Sequence, residues 1–147
     1  MRSAWTGLLV AVVVLLAASA FGLARRVRDG RLRTVADAGH RDLLLRLGVR
    51  PDTPVTLLQF SSAICAPCRA TARLCAEVAT ATDGVHHVDV DAAAHLDAVR
   101  ALGIMRTPTL LVVDSDGRIV RRAAGQPPTR DGLTAAVNAA MAGGSAR

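Results

Sequence analysis

The feature that most limits the fold of this chain is an uncharged apolar run near the amino terminus, 21 residues long, from Ala4 to Ala24. As a helix this run spans about 31 Å, which is enough to cross the hydrocarbon core of a bilayer. Trp5 stands at its start, where an amphipathic ring suits the membrane interface. We therefore expect a transmembrane anchor over residues 4–24, which leaves room for one domain of ordinary size.

A cleaved signal peptide is the alternative interpretation of the same run. Ala18-Ser19-Ala20 fits the small-residue pattern of a cleavage site. Two features favour an anchor instead. The apolar run continues past this site through Phe21 and Leu23, and the main cluster of positive charge follows the run rather than precedes it.

The charges on either side of the run predict its orientation. Arg2 and the terminal amine precede it, whereas five arginines follow it with only Asp29 opposing them: Arg25, Arg26, Arg28, Arg31 and Arg33. Because an excess of Arg tends to stay in the cytoplasm, we expect a single-pass protein of the cell membrane with its domain on the cytoplasmic face. The alternative is an extracytoplasmic domain.

The net charge of +6 is unevenly distributed along the chain. Residues 1–50 carry nine Arg and three acids, whereas residues 51–142 carry eight Arg and nine acids. A nucleic-acid-binding domain places basic residues on one face with stacking aromatics or a reading motif, and aromatics make up only 2% of this chain. We expect no nucleic-acid partner. Anionic lipid fits the charge beside the apolar run better.

Hydrophobic periodicity after the anchor predicts an α/β domain over residues 37–142, preceded by a basic linker over 25–36 and followed by a disordered tail over 143–147. The linker is predicted to end in a short strand near residues 33–36. Helices are predicted over Asp37–Leu47, Ala66–Ala81, Ala93–Leu102 and Thr129–Ala142. Strands are predicted over Val55–Phe60, Val85–Asp91, Leu110–Val113 and Arg118–Arg121. This order favours one sheet with helices on both faces, in which the largely apolar strand 55–60 is central.

The motif Cys65-Ala66-Pro67-Cys68 stands where this apolar strand gives way to a helix. The thiolate is the reactive form of cysteine, and the free N–H groups and positive dipole end of a helix N-terminus lower the pKa of a thiol. Cys65 is therefore predicted to be the exposed nucleophile. Cys68 lies one helical turn later on the same side, from where it can attack a mixed disulfide and release the substrate.

The same two cysteines can also be read as half of a zinc site, since zinc takes four ligands that often come from two such pairs. Cys75 lies seven residues further along the same helix, about 10 Å away by helical rise. The sequence contains no second Cys-x-x-Cys and no His-x-x-x-His. We therefore expect no metal and no cofactor, and we expect Cys75 to be a small apolar residue of the core.

A longer pattern surrounds the motif, and it resembles the thioredoxin family over roughly residues 51–142. It consists of the strand Val55–Phe60, the Cys65–Cys68 motif, Gly103-Ile-Met-Arg-Thr-Pro108-Thr, Asp114-Ser-Asp-Gly117 and Gly125. Together with the anchor, it is similar to membrane-anchored thioredoxin-like oxidoreductases of the actinobacterial type. The resemblance implies a thioredoxin fold, a central mixed β-sheet flanked by helices, after one transmembrane helix.

The resemblance also implies roles for the residues of the site. Cys65 would be the nucleophile and Cys68 the resolving thiol. Pro108 would be cis and lie against the pair, and an extended substrate would contact Ala66, Pro67, Thr107 and Pro108. The expected partners are a disulfide-containing protein or small molecule and an electron donor such as a thioredoxin reductase or another dithiol protein.

Four positions depart from the pattern of the family. Ile64 stands where thioredoxins have Trp, Gln59 where they have a buried Asp, His87 where they have a Lys, and Arg73 where they have a Pro. An amide does not titrate near neutral pH, whereas an imidazole does. We therefore place Gln59 and His87 in a possible proton relay behind Cys68, in which His87 is the group that can take the proton. The alternative is that His87 is an ordinary strand residue.

The sequence thus predicts a membrane-tethered thiol–disulfide oxidoreductase, acting as reductase or oxidase. The alternative is a non-catalytic module with the same fold that holds a partner, or a soft metal such as Cu(I), through the two thiols.

Overall fold

The computed structural model describes residues 2–34 and 39–145, beginning with a long helix, α1, from Arg2 to Arg28. Its apolar span, Trp5–Arg25, has a mean hydropathy of 2.6 and makes no buried contact with the rest of the chain. The helix continues through residues 25–28 of the predicted linker because neither Arg nor Val interrupts a helix. It ends before Gly30, which has a φ of +81° and passes so close to Pro127 that a Cβ would lie 2.7 Å from its carbonyl oxygen.

Five strands form one mixed sheet. They are β1 (Arg33–Thr34), β2 (Val55–Ser61), β3 (Val85–Asp91), β4 (Thr109–Asp114) and β5 (Ile119–Ala124). Their order across the sheet is β1-β5-β4-β2-β3, and β2 with β3 is the parallel pair. The short strand predicted near residues 33–36 is therefore the edge strand β1, while residues 35–36 lie outside the described part of the chain.

Four further helices connect or follow the strands. They are α2 (Arg41–Arg46), α3 (Ala66–Ala81), α4 (Leu96–Ala101) and α5 (Arg130–Ser145). The predicted bounds of α3 are confirmed. The predicted start of α2 at Asp37 lies outside the described residues, and Gly39 and His40 are not helical.

The predicted start of α4 at Ala93 is wrong. Asp91 accepts hydrogen bonds there from the N–H groups of Ala93, through its carboxylate, and of Ala94, through its carbonyl. This local turn competes successfully with the helical propensity of the three alanines. The predicted tail also begins too early, because residues 143–145 belong to α5, whose last turn approaches the β4–β5 turn at Ser115.

The sheet separates two hydrophobic layers. The side covered by α2 and α4 contains Leu44, Leu58, Phe60, Ala98 and Leu111 among its buried residues. The side covered by α3 and α5 contains Val55, Leu57, Cys75, Leu110 and Val137. Successive residues of β2 alternate between these layers, and Val55 to Phe60 are all buried. The prediction of a central strand buried on both faces is confirmed, and its carboxyl end leads directly into the Cys65–Cys68 motif.

Candidate active site

The loop of residues 62–65 joins the end of β2 to the start of α3 and carries the first cysteine. Cys65 is the N-cap of α3, with extended backbone angles, and its Sγ accepts a hydrogen bond from the N–H of Cys68 at 3.2 Å. The Sγ atoms of Cys65 and Cys68 are bonded to each other. In this bonded state Cys65 is 8% exposed and Cys68 is 3% exposed. Cys65 is thus the more accessible of the two, although less open to solvent than expected.

The start of α3 favours negative charge on Cys65. The first turn of this 16-residue helix contains no acidic residue, and Pro67 occupies a position where its missing N–H costs no helical hydrogen bond. The N–H of Cys68 donates to Sγ, and the positive end of the helix dipole lies at this terminus. A helix N-terminus is in general a favourable place for a thiolate.

A second loop, between α4 and β4, lies beside the cysteine loop. Its Thr107–Pro108 peptide bond is cis, as the resemblance implied. The hydroxyl of Thr107 shares a hydrogen bond of 3.0 Å with the hydroxyl of Ser62, and this contact joins the two loops. Pro108 is buried, and its carbonyl accepts a hydrogen bond from the N–H of Gly125 at 2.8 Å. The loop is therefore fixed on both sides.

Two large apolar side chains stand exposed on these loops. Ile64, immediately before Cys65, is 99% exposed, and Met105, two residues before Thr107, is 90% exposed. In the sequence Ile64 stands out only as a departure from the family and Met105 does not stand out, since a single apolar residue in a loop is common in any sequence. The two side chains become notable only in the fold, which places one of them on each of two neighbouring loops.

Gln59 lies beneath the disulfide and is fully buried. Its Nε2 donates to the carbonyl oxygen of Cys68 at 2.9 Å and to Ser61 Oγ at 2.8 Å. Ser61 Oγ in turn donates to Asp89 Oδ1 at 2.5 Å. A chain of hydrogen bonds therefore runs from the backbone of Cys68 to an exposed carboxylate on β3. Among the described residues, Gln59 Oε1 has no hydrogen-bond partner.

His87 lies on the same face of the sheet but one step further from the cysteines. It pairs with Leu57, whereas Asp89 pairs with Gln59. Burial lowers the pKa of His87, the charge of Asp89 opposes this effect, and His86 adds to it. In the described part of the chain no hydrogen bond joins His87 to Gln59. Ser61 and Asp89, which do connect to Gln59, were missed, because the register of two parallel strands cannot be read from either strand alone.

Cys75 is a core residue, as predicted. It is fully buried between α3 and the sheet, and its thiol is free. Burial, with a contribution from the charge of Asp89, raises its pKa to about 12. The thiol is thus protonated at neutral pH. Within residues 2–34 and 39–145, no group of three or more His, Cys, Asp or Glu side chains is placed to hold a metal ion.

Comparisons with known proteins give one consistent result. The thioredoxin family model matches residues 46–139. Chloroplastic thioredoxin z has a TM-score of 0.57 at 25% identity, over 75% of this chain and 96% of its own. A point mutant of thioredoxin from Halobacterium salinarum has a TM-score of 0.57 at 21% identity, over 74% of this chain and 88% of its own. The thioredoxin pre-protein of Schistosoma mansoni has a TM-score of 0.53 at 20% identity, over 71% of this chain and 93% of its own.

No curated protein sequence matches this chain. The family model nevertheless covers the strands and helices from the end of α2 into α5, and so includes the bonded cysteines and the cis-proline loop. It stops short of the apolar helix α1, which by length and composition fits either an anchor or a signal sequence. The thioredoxin-like part and its Cys-x-x-Cys pair suggest thiol–disulfide exchange, and the chain belongs to the thioredoxin family.

Proposed function

We propose that this protein is a membrane-tethered thiol–disulfide oxidoreductase in which Cys65 and Cys68 carry the exchange. The observation that carries the proposal is the bonded pair at the N-terminus of α3, beside the cis Thr107–Pro108 loop. In this proposal Cys65 is the nucleophile, since it is the more exposed of the two cysteines and caps the helix. Cys68 is the resolving thiol.

In the reductive direction the thiolate of Cys65 attacks one sulfur of a partner disulfide. A Cys65–partner disulfide forms, and the second partner sulfur leaves as a thiolate that takes up a proton. Cys68 then loses its proton and attacks Cys65 Sγ, which restores the Cys65–Cys68 bond and releases the first partner sulfur as a thiolate. Two electrons pass from the protein to the partner, and a second dithiol, such as that of a thioredoxin reductase or another dithiol protein, must return them. Oxidation of a partner is the same sequence reversed.

The partner segment is proposed to lie between the two loops that carry Cys65 and Pro108. Ala66 and Pro67 flank the nucleophile on one side, and Thr107 offers backbone groups on the other. Ile64 and Met105, both almost fully exposed, add apolar surface at this place. A partner with apolar side chains next to its disulfide would cover both, and this burial favours protein substrates over small hydrophilic disulfides.

Resolution requires that the proton of Cys68 be removed. Gln59 holds the carbonyl of Cys68 but cannot titrate. His87 is the proposed proton acceptor, because it lies on the same face of the sheet and its lowered pKa leaves it neutral, and hence basic, at pH 7. Asp89 is a second titratable group on this face, and it is connected to Gln59 through Ser61.

The central test is reduction of insulin by dithiothreitol in the presence of the full chain. The wild-type protein should accelerate the reaction, Cys65→Ser should abolish the acceleration, and Cys68→Ser should accumulate a mixed disulfide that is visible on a non-reducing gel. Cys75→Ala is the matched control and should keep the activity. No acceleration by the wild type would favour the non-catalytic binding module. Trapping by Cys65→Ser instead of Cys68→Ser would reverse the two roles.

Membrane tethering is proposed from the length and the hydropathy of α1, and the cytoplasmic side from the arginines that follow it. The test is labelling of reduced Cys65 in intact cells with a membrane-impermeant thiol reagent, with Cys65→Ser/Cys68→Ser as the blank. A cytoplasmic domain should be labelled only after lysis. Labelling of intact cells would place the domain outside, and a mature protein that begins at Phe21 would show a cleaved signal peptide.

A further inference from the structure

A basic cleft lies between the end of α1 and the thioredoxin-like part of the chain. Its volume is about 270 Å³, and its charged lining consists of Arg28, Asp29, Arg31, Arg33, Arg106 and Arg122. These residues come from separate segments: the last residue of α1, the connection to β1, β1 itself, the cis-proline loop and β5. The fold therefore gathers five arginines that the sequence spreads over almost a hundred positions.

The positive charge of this cleft is largely uncompensated. Arg106 pairs with Asp29, Nη1 to Oδ2, at 2.9 Å. Within the described residues, no other arginine of the cleft takes part in an ion pair. Arg122 is half-buried and donates to two neutral groups, the carbonyl oxygens of Leu102 at 2.8 Å and Gly103 at 2.7 Å. Burial lowers the pKa of Arg122, because the charged guanidinium has lost part of its hydration. An anion in the cleft would replace that lost stabilisation.

The position of the cleft relative to α1 indicates where such an anion comes from. The apolar span ends at Arg25, and Arg28 lies three residues beyond it, about 4.5 Å further along the helix axis. The headgroup layer on each side of a hydrocarbon core is roughly 5–8 Å thick. In an anchored chain, the mouth of the cleft at Arg28 is thus at the depth of the lipid headgroups.

We propose that this cleft binds the phosphate of an anionic phospholipid headgroup. The inference rests on the proposed membrane anchor, because the lipid is supplied by the bilayer that α1 would cross. Guanidinium groups suit this ligand since their paired N–H donors match the oxygens of a phosphate. The headgroup would join α1, β1 and the cis-proline loop around one anion and so hold the redox site in one orientation against the bilayer.

The test uses the full chain in micelles of an uncharged detergent, titrated calorimetrically with dihexanoyl phosphatidylglycerol, dihexanoyl phosphatidylcholine or inorganic phosphate. Phosphatidylglycerol should saturate at one molecule per chain and bind at least about tenfold more tightly than either of the others. Phosphatidylcholine carries the same phosphate with a neighbouring positive charge that the arginines repel. Inorganic phosphate distinguishes a free-anion site from a lipid site, and equal affinity for it would overturn the proposal.

Two variants examine the cleft itself. Arg122→Gln should weaken phosphatidylglycerol binding by about tenfold, because a charged hydrogen bond is lost. Its matched control is Arg121→Gln, the neighbour on β5, which lies outside the cleft and should leave the affinity within about twofold. Because Arg122 also donates to two backbone carbonyls, its replacement can disturb the fold. The double variant Arg31→Gln/Arg33→Gln avoids this problem, since it removes positive charge from the cleft at exposed positions that do not make those two bonds.

The control for the double variant is Arg46→Gln/Arg100→Gln, with the same loss of two charges at exposed positions elsewhere. Equal weakening in controls and cleft variants would show nonspecific attraction and overturn the site. Insulin reduction measured on the same samples keeps the two proposals separate. Lipid binding without insulin reduction would refute the redox function alone, and insulin reduction without selective lipid binding would refute the cleft alone.

Discussion

Gln59 is the residue in which this site differs most from the family pattern, because it replaces a buried acid with a neutral amide. The amide donates both of its N–H groups, to Cys68 and Ser61, and so holds the first turn of α3 against β2. A carboxylate in the same place would have to accept hydrogen bonds rather than donate them. The first turn of α3 is therefore held by hydrogen bonds from Gln59, but the position beneath Cys68 has no titratable group.

Replacing Gln59 tests what the missing acid would do. Gln59→Asp should speed the resolution of a mixed disulfide at pH above the pKa of the new carboxylate, because a base then lies behind Cys68. Gln59→Asn shortens the side chain by the same length but cannot titrate, so it is the matched control. Resolution rates measured by quenched-flow against pH should separate the two variants. Identical profiles would mean that proton removal does not limit the step.

His87→Ala should slow resolution near pH 7 if His87 takes the proton of Cys68, while Asp89→Asn should leave the rate almost unchanged. The amide oxygen introduced by Asp89→Asn would still accept the hydrogen bond from Ser61, so the support of Gln59 is retained. The measurement is the same resolution rate for both variants. A larger effect of Asp89→Asn would move the role of proton acceptor from His87 to the Gln59–Ser61–Asp89 chain.

The lowered pKa of His87 also predicts how stability depends on pH. Below its unfolded pKa of about 6.5, the unfolded chain binds a proton at this position more readily than the folded one. The free energy of unfolding should therefore fall as pH drops from 6.5 through the lower pKa of the folded state. His87→Gln should flatten this part of the curve, measured by urea unfolding at several pH values. His86→Gln, at the exposed neighbouring residue, should change the slope less than His87→Gln, because burial rather than the charge of His86 is the main cause of the lowered pKa.

At the scale of elements, the β4–β5 hairpin depends on Asp114. This carboxylate is almost fully buried and accepts hydrogen bonds from the N–H groups of Asp116 and Arg118 and from Arg118 Nε. Asp114→Ala leaves three donors without their partner and should lower the free energy of unfolding by about 2–3 kcal/mol. Asp114→Asn keeps an acceptor oxygen and should cost less. Equal losses in urea unfolding would show that charge, rather than hydrogen bonding, stabilises the turn.

Sequence patterns predicted the elements whose stability comes from the residues within them. The apolar run of β2, the alternation in β3 and the 16 residues of α3 were all readable, because burial and periodicity are local properties. The start of α4 was not, since a turn at Asp91 competes with a helix-forming sequence. The contact of Ser62 with Thr107 and the pairing of Gln59 with Asp89 depend on strand register, which arises only when the whole sheet assembles.

At the scale of the whole molecule, the segment after α1 belongs to the domain rather than to a free linker. Asp29 pairs with Arg106, Gly30 donates to the carbonyl of Ala124, and Arg33 and Thr34 pair with β5. Deleting residues 1–28 should therefore leave a folded, soluble and redox-active domain. Deleting residues 1–34 should lower its free energy of unfolding by a further amount of about 1–2 kcal/mol. Equal unfolding midpoints for the two truncations would show that these contacts contribute nothing.

The connection between α1 and β1 is only four residues long, Asp29 to Leu32. Even fully extended, four residues reach no more than about 14 Å, and here they are tied to the domain. In an anchored protein, this short connection limits how far from the bilayer the redox site can lie. Disulfides further from the bilayer than roughly 30 Å, the diameter of a small domain, are out of reach. Partners carried in the same membrane are instead met by lateral diffusion in two dimensions, which raises their effective concentration above that of an equally abundant partner in solution.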